Sequence, residues 1–288
     1  PPPMLPSEAP DGAPRAACPP DVAGTVAAAS SPEALAILAE AGERRLTGGE
    51  LLLLFEEASL HDLGRVAHAL RLRRADPEIV TYVIDRNVTY TNLCYTDCLF
   101  CAFNRHDGDA DVLLLSREEI HAKVQSVVEA GGNQILLQGG HHPRLKIEDY
   151  EAMLADLKGS FPTLWIHGFS PSEIKHFAKV SKLGTREVLR RLKAAGLDSI
   201  PGGGAEILVD RVRRSLSPRK AKTDEWLSVM REAQLQGLST TATMMYGHVE
   251  TLAERVEHMR RIRELQDETA GFRAFISWTF QRDGNRLQ

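Results

Sequence analysis

From residue 77 onwards, short apolar runs of strand length alternate with longer runs in which apolar residues recur every three or four positions. The first pattern is typical of buried strands and the second of amphipathic helices. Their alternation predicts a parallel sheet with right-handed helical crossovers. Five connecting helices and six strands are predicted, with the strands over 79–92, 134–138, 163–169, 198–200, 240–246 and 272–280.

The chain before residue 77 follows a different pattern. The pattern over residues 31–76 predicts three short helices. The first has Ser31 as N-cap and Pro32 in its first turn, and the glycines at 48–49 separate it from the second. Residues 1–30 are rich in proline, alanine, glycine and serine, a composition that buries too little apolar surface to offset its ordering entropy. We therefore expect a disordered tail, an N-terminal helical segment, and a β/α barrel domain over 77–288.

Length and charge narrow the possible classes of protein. With 288 residues the chain can form one α/β barrel, which typically has about 250 residues. Lys and Arg number 35 against 39 Asp and Glu, so the net charge of −4 gives no reason to expect nucleic acid or an anionic membrane as a partner. The longest apolar run, residues 51–55, is too short to cross a bilayer.

Three of the four cysteines lie directly after the first predicted strand. Cys94, Cys98 and Cys101 form a C-x3-C-x2-C pattern, whereas Cys18 lies in the tail. An odd number of clustered thiols does not suit disulfides, and a cluster of this kind fits a reducing, cytoplasmic location. The three thiolates could hold an iron–sulfur cluster with one iron left open, or a zinc ion together with His106. Spacing alone leaves both metal assignments open.

Polar and glycine-rich residues follow several predicted strands, at the rim where β/α barrels build their chemistry. His141 and His248 are two of them. Because histidine titrates near neutrality, both are candidate general bases or substrate contacts, although a lone histidine is more often structural.

The cysteine pattern after the first strand of a β/α barrel, with Phe100 before the last cysteine, resembles the signature of radical S-adenosylmethionine (SAM) enzymes. Further motifs resemble the futalosine and F420 branch of that family: Asp85-Arg86-Asn87, Tyr90-Thr91-Asn92, Gln138-Gly139-Gly140, Ile200-Pro201-Gly202-Gly203-Gly204-Ala205-Glu206-Ile207 and Met245-Tyr246-Gly247-His248-Val249-Glu250-Thr251. Within the branch, Asp198-Ser199-Ile200-Pro201 and Trp278-Thr279-Phe280-Gln281 are most similar to the dehypoxanthine futalosine cyclases.

The resemblance implies a partial TIM barrel of (β/α)6 type, with a 4Fe-4S cluster on Cys94, Cys98 and Cys101 and SAM on the open iron. A radical derived from SAM would take hydrogen from the ribose C4′ of the substrate, and a carbon–carbon bond would then close a ring, in the futalosine route to menaquinone. Aminofutalosine synthase or F0 synthase chemistry is the alternative within the branch. A non-catalytic zinc or cluster-binding fragment is a further alternative.

The resemblance also assigns roles to individual residues. Gly139 and Gly140, at the second strand's end, would meet the SAM amino group. Glu206 would bind the SAM ribose or amino group, and Arg213 would bind the SAM carboxylate. Phe100 and Phe103 would lie beside the cofactor, and Thr279 and Gln281 would contact substrate. Each of these roles has a structural alternative: the glycines could form a plain turn, Arg213 could be a solvated charge, and Phe103 could be an ordinary buried aromatic residue.

The partners implied are a small nucleoside-like substrate and an electron donor such as flavodoxin or ferredoxin. Members of the branch continue through a last helix and a C-terminal segment that helps close the site. We therefore expect this chain to lack that segment.

Overall fold

The computed structural model describes residues 29–287. The predicted tail at 1–30 therefore lies outside the described residues, except for its last two positions. Six parallel strands form one open sheet in which spatial order follows chain order, so the predicted partial barrel is confirmed. The strands are β1 Asp85–Thr89, β2 Gln134–Gln138, β3 Trp165–Gly168, β4 Ser199–Ile200, β5 Ser239–Tyr246 and β6 Phe272–Thr279.

Helices precede the sheet and connect its strands. Ten are found within residues 29–287, and none of these ten is long and apolar enough to cross a membrane. They are α1 Pro32–Glu40, α2 Gly48–Glu57, α3 Leu60–Leu72, α4 Arg117–Glu129, α5 Ile147–Ser160, α6 Pro171–Ser181, α7 Thr185–Ala195, α8 Asp210–Leu216, α9 Thr223–Leu235 and α10 Leu252–Thr269.

The first strand is shorter than predicted. A strand over 79–92 is wrong at both ends, because β1 pairs with β2 only from Asp85 to Thr89. Residues 79–84, all apolar or aromatic except Thr81, are exposed to solvent. Apolar, β-branched residues predict a strand only where a neighbouring strand is available, and β2 has just five residues.

The predicted break at Gly48-Gly49 is also wrong, since α2 begins there. Thr47 caps that helix: its hydroxyl accepts a hydrogen bond from the Glu50 N–H at 3.3 Å, and the Glu50 carboxylate accepts one from the Thr47 N–H at 2.7 Å. This reciprocal capping satisfies two backbone donors and offsets the low helix propensity of the glycines.

Seven helices, not the predicted five, lie between β1 and β6, because α6 and α8 were missed. The start of α6 carries a recognisable signal, with Ser170 as N-cap, Pro171 in the first turn and Glu173 completing a capping box. The helix α8 has only seven residues, too few for a hydrophobic period to be read.

The main hydrophobic core lies between the sheet and its helices. Fully buried side chains from strands and helices fill it, among them Val88, Ile135, Leu154, Ile166, Phe177, Leu192, Trp226 and Ala242. The N-terminal helices share a smaller cluster of their own and attach to α10, where Arg45 pairs with Asp267 and the Arg263 guanidinium donates to the Leu46 carbonyl at 3.0 Å.

Because all six strands are parallel, their carboxyl ends share one rim. The cysteine loop follows β1, the Gly139-Gly140 turn follows β2, and the turn around Glu206 follows β4. These segments meet at the rim although they are far apart in sequence.

Candidate active site at the cysteine loop

The backbone of the cysteine loop is held by hydrogen bonds to distant parts of the chain. The Cys94 N–H donates to the Arg105 carbonyl at 3.0 Å, and the Leu99 N–H donates to the Leu216 carbonyl at 2.9 Å. Within the loop, Cys98 is buried and Cys94 and Cys101 are half-buried. All three thiols are free, so the loop presents three potential ligands at a partly shielded site.

Residues after β6 also hold the cysteine loop through hydrogen bonds. The sequence did not predict these contacts. The N–H groups of Arg286 and Leu287 donate to the Leu99 carbonyl at 2.8 and 3.1 Å. The Arg286 guanidinium donates to the Asp97 carboxylate at 2.5 Å and holds the pKa of that carboxyl below its usual range. Asp97 has a positive φ of 56°, a backbone conformation that L-residues rarely adopt unless neighbours hold it.

Two of the thiols lie on either side of Thr96. The Thr96 hydroxyl lies 2.9 Å from the Cys94 sulfur and 3.5 Å from the Cys98 sulfur. A cubane cluster spreads three thiolates over three irons, so three thiols in one short loop can serve as its ligands. The Nε2 atom of His106, the fourth ligand that a zinc ion would need, lies 3.7 Å from the Asp97 carboxylate.

The Gly139-Gly140 turn packs tightly against the start of the cysteine loop. A Cβ at Gly139 would lie 2.5 Å from the Tyr90 ring, and one at Gly140 would lie 2.3 Å from the Leu93 carbonyl oxygen. The Gly140 N–H donates to the Thr91 carbonyl at 2.8 Å. These glycines are therefore required by packing, and their predicted contact with the SAM amino group stays a prediction.

Replacing Gly140 with alanine is expected to lower the free energy of unfolding by about 2–4 kcal/mol and to reduce iron uptake. The new methyl group would meet the Leu93 backbone and the Cys94 Cβ, which lies 2.9 Å away, so the loop itself must move. Urea unfolding and iron analysis test this. The control is Gly159→Ala in α5, where nothing lies within 4 Å; that variant should gain up to about 1 kcal/mol. Equal effects of the two substitutions would contradict the packing argument.

A buried carboxylate that the sequence analysis missed supports this turn. Glu173, at the start of α6, accepts hydrogen bonds from the Tyr90 hydroxyl at 2.9 Å, the Gly139 N–H at 3.0 Å and the Ser170 N–H at 2.7 Å. Burial raises the pKa of Glu173, and these hydrogen bonds act in the opposite direction. The capping-box spacing was the one signal in the sequence that could have found it.

Glu206 has the properties expected of a ligand contact. It is 7% exposed and has a positive φ of 42°. Its Oε1 atom lies 3.2 Å from the Lys220 ammonium, while its buried Oε2 atom has no hydrogen-bond partner in the described chain. Buried polar atoms are nearly always hydrogen-bonded, so this oxygen fits the predicted contact with SAM.

Arg213 has a structural position. Its guanidinium is 3% exposed and donates to the backbone carbonyls of Gly204, Ala205 and Ala221. Its Nη1 atom lies 3.6 Å from the Glu206 carboxylate. Because its donors face groups of this chain, the geometry favours a role in shaping the turn over the predicted contact with the SAM carboxylate.

A histidine cluster lies beside the cysteine loop. The ring of His141 stacks on that of His176 at 5.0 Å, and the Tyr95 hydroxyl lies 3.3 Å from the His176 Nδ1 atom. His141 is 5% exposed and lines a cleft of about 530 Å³. Burial lowers the pKa of His141, with the charges of His176 and Lys220 acting in the same direction. Because burial favours the uncharged form, His141 presents a neutral imidazole to this cleft, as a general base requires.

His248 is placed differently from its predicted role. Its Nε2 atom lies 2.9 Å from the Met245 carbonyl oxygen, and its Nδ1 atom lies 2.9 Å from the Glu250 carboxylate. Its side chain is 0% exposed. Burial alone would raise the pKa of Glu250, yet hydrogen bonds from His248 and Gly247 hold that pKa below its usual range. Both ring nitrogens therefore order the turn after β5, and a catalytic role for His248 stays a prediction.

The remaining predicted residues are spread around the rim. Phe100 packs against a cluster formed around Ile207, and Phe103 is 75% exposed. Thr279 and Gln281 are exposed and bonded to each other, with the Gln281 amide donating to the Thr279 hydroxyl at 3.0 Å. The roles predicted for these four side chains stay predictions.

Residues 88–262 match the family described as the Radical SAM superfamily, and this stretch begins in β1 and includes the cysteine loop and the glutamate turn. The chain belongs to the radical SAM superfamily. Enzymes of this superfamily use a 4Fe-4S cluster and SAM, so both predicted cofactors are confirmed at the level of the family. The assignment of individual ligands remains a prediction from the geometry above.

Curated relatives are similar over most of the chain. Cyclic dehypoxanthine futalosine synthase of Streptomyces coelicolor is 45% identical over 247 residues, which are 85% of this chain and 62% of that protein. Aminodeoxyfutalosine synthase of Thermus thermophilus is 42% identical, covering 85% and 65%. A 5-amino-6-(D-ribitylamino)uracil–L-tyrosine 4-hydroxyphenyl transferase of Methanosarcina mazei is also 42% identical, covering 86% and 65%. The chain thus spans less than two thirds of the length of these relatives.

Solved structures agree with the fold. Methylornithine synthase matches with a TM-score of 0.65 at 19% identity, covering 88% of this chain and 70% of that one. The FeFe-hydrogenase maturase HydG from Carboxydothermus hydrogenoformans matches with a TM-score of 0.63 at 18% identity, covering 89% and 58%. At such identities the likeness concerns the fold alone.

Proposed function

We propose that this chain carries the catalytic barrel of a cyclase that converts dehypoxanthine futalosine to its cyclic product in the futalosine route to menaquinone. The observation that carries the proposal is the 45% identity to cyclic dehypoxanthine futalosine synthase over 85% of this chain. The three free thiols and the Glu206 oxygen that has no hydrogen-bond partner within residues 29–287 supply the binding groups that such an enzyme needs.

The cluster and SAM, when bound, would supply a carbon-centred radical able to take a hydrogen atom from the ribose C4′ of the substrate. Ring closure and rearomatisation would then release one proton to a base of the protein and one electron to an oxidised redox protein, so the product would have two hydrogens fewer than the substrate. We assign the proton to His141, because its imidazole lines the cleft beside the cysteine loop and burial favours its neutral form. A small redox protein such as a flavodoxin or ferredoxin would deliver the electron that activates SAM.

An anaerobic assay of the reconstituted protein with SAM, a reductant and dehypoxanthine futalosine tests this function. We expect 5′-deoxyadenosine together with a product two mass units lighter than the substrate, identified by mass spectrometry. The substrates of the two relatives at 42% identity serve as competitors in parallel reactions. Product from either competitor, but none from dehypoxanthine futalosine, would assign the chain to the corresponding activity instead.

The same assay distinguishes the radical step from the choice of substrate. 5′-Deoxyadenosine without any cyclic product would contradict the proposed substrate and leave the radical chemistry intact. A protein that holds its cluster and forms neither compound would contradict the proposal for this chain.

A further inference from the structure

A half-buried lysine that has no assigned role, Lys220, lies beside the cysteine loop. The Lys220 ammonium is 5.2 Å from the centre of the Phe100 ring and 3.2 Å from the Glu206 carboxylate. Its side chain is 15% exposed, unusually low for lysine. Phe100 lies between Cys98 and Cys101 in the chain, so this ammonium approaches the loop that carries the thiols.

The surroundings of Lys220 strengthen its effect on the thiols. Phe100, Ile207 and Leu216 belong to one apolar cluster, so charges here act through a medium of low dielectric constant. The Lys220 ammonium faces the ring of Phe100 within the cysteine loop, and the Glu206 carboxylate at 3.2 Å offsets part of its charge. The Arg213 guanidinium, which is 3% exposed, is engaged with backbone carbonyls.

Glu206, the charged partner of Lys220, also has the Arg213 guanidinium within 3.6 Å. What Lys220 adds is one largely shielded positive charge beside Phe100, in the loop that carries the thiols. A charge at that place acts on any negative charge that the sulfurs of the loop carry.

We propose that Lys220 acts on the cluster through its positive charge, which raises the reduction potential of the cluster held by Cys98. An added electron increases the negative charge of the cluster, and a nearby buried ammonium stabilises that charge. Surrounding groups of this kind tune metal sites without binding the metal. The proposal concerns the cluster common to the superfamily and is independent of the substrate assigned above.

The test is a redox titration of reconstituted proteins, followed by electron paramagnetic resonance without SAM or substrate. We compare wild type with Lys220→Met, which removes the charge and keeps the length, and Lys220→Arg, which keeps the charge. The midpoint potential should become more negative in Lys220→Met and stay close to wild type in Lys220→Arg. Lys222→Met is the matched control, because Lys222 is exposed two residues away, and its potential should be unchanged.

A reserve variant and three contrary outcomes complete the test. Lys220→Gln, whose amide can still bond Glu206, repeats the charge removal if the methionine variant does not fold by circular dichroism. A neutral variant with the wild-type potential, or an equal shift in Lys222→Met, would overturn the proposal. A folded neutral variant that takes up less iron than wild type would also overturn it, because Lys220 would then serve in assembly of the site.

Discussion

Replacing Cys98 with alanine is expected to leave a folded protein that cannot hold its cluster. Cys98 is 4% exposed and lies between the other two thiols in the loop, so its loss leaves two ligands for a cluster that needs three. Formation of 5′-deoxyadenosine should fall by more than about 100-fold, since loss of even an outer partner of a metal ligand costs about 10- to 100-fold. Iron and sulfide analysis and the visible absorption of the anaerobically reconstituted protein measure the loss directly.

The fourth cysteine offers the control for this experiment. Cys18 lies outside the described residues, in the proline- and alanine-rich tail, and Cys18→Ala should keep the iron content and visible spectrum of wild type. If Cys98→Ala retained a full complement of iron while Cys18→Ala lost it, the assignment of ligands would be wrong. Circular dichroism should show the same helix content in both variants, because either substitution removes only a sulfur atom.

Acidification is expected to destabilise the fold well before the carboxylates titrate. His258 is 0% exposed, and burial lowers its pKa from 6.5 to about 3. Burial likewise lowers the pKa of His167 from 6.5 to about 4. Because both pKa values are lower in the folded state, the unfolded chain binds more protons in this range. The stability from the two neutral rings is present above pH 6.5 and is lost as the pH falls towards the folded values.

The size of this effect follows from the shifts. Each histidine contributes a slope of about 1.4 kcal/mol per pH unit once the unfolded ring is protonated and the folded ring is not. Together they should remove roughly 5 kcal/mol of unfolding free energy between pH 6.5 and 4.5, comparable to the total stability of many domains. Urea unfolding at a series of pH values from 8 to 4.5 measures it.

A single substitution isolates one of the two histidines. The His167 Nδ1 atom lies 2.7 Å from the Ser199 hydroxyl, and asparagine at this position can still form a hydrogen bond. His167→Asn should reduce the slope of stability against pH by about 1.4 kcal/mol per unit. A variant with the wild-type slope would show that His167 does not stay neutral in the folded protein.

The order of the strands and the place of the cysteine loop could be predicted because their signals are local. Each strand is a short apolar run, and the loop Cys94–Cys101 directly follows the first of them. In a parallel sheet the carboxyl ends of the strands share one rim, so the glycine turn after β2 and the glutamate turn after β4 could be expected near the thiols. The length of β1 could not be predicted, because it depends on the neighbouring strand.

The identity of the groups that surround the thiols depends on contacts between distant residues, and the local sequence pattern does not predict such contacts. Arg286 reaches Asp97 across 189 residues of chain, and Glu173 meets Tyr90 across 83. Such pairs depend on which helices and loops pack together at the rim, and a single sequence contains no period or spacing that records them. Folding also decides that the His141 ring lines a cleft while both ring nitrogens of His248 contact neighbouring groups, although both residues were predicted from the same position at a strand's end. Residue type and strand order are thus local properties of this chain, whereas burial, charge pairing and the availability of a ring nitrogen arise only when distant segments meet.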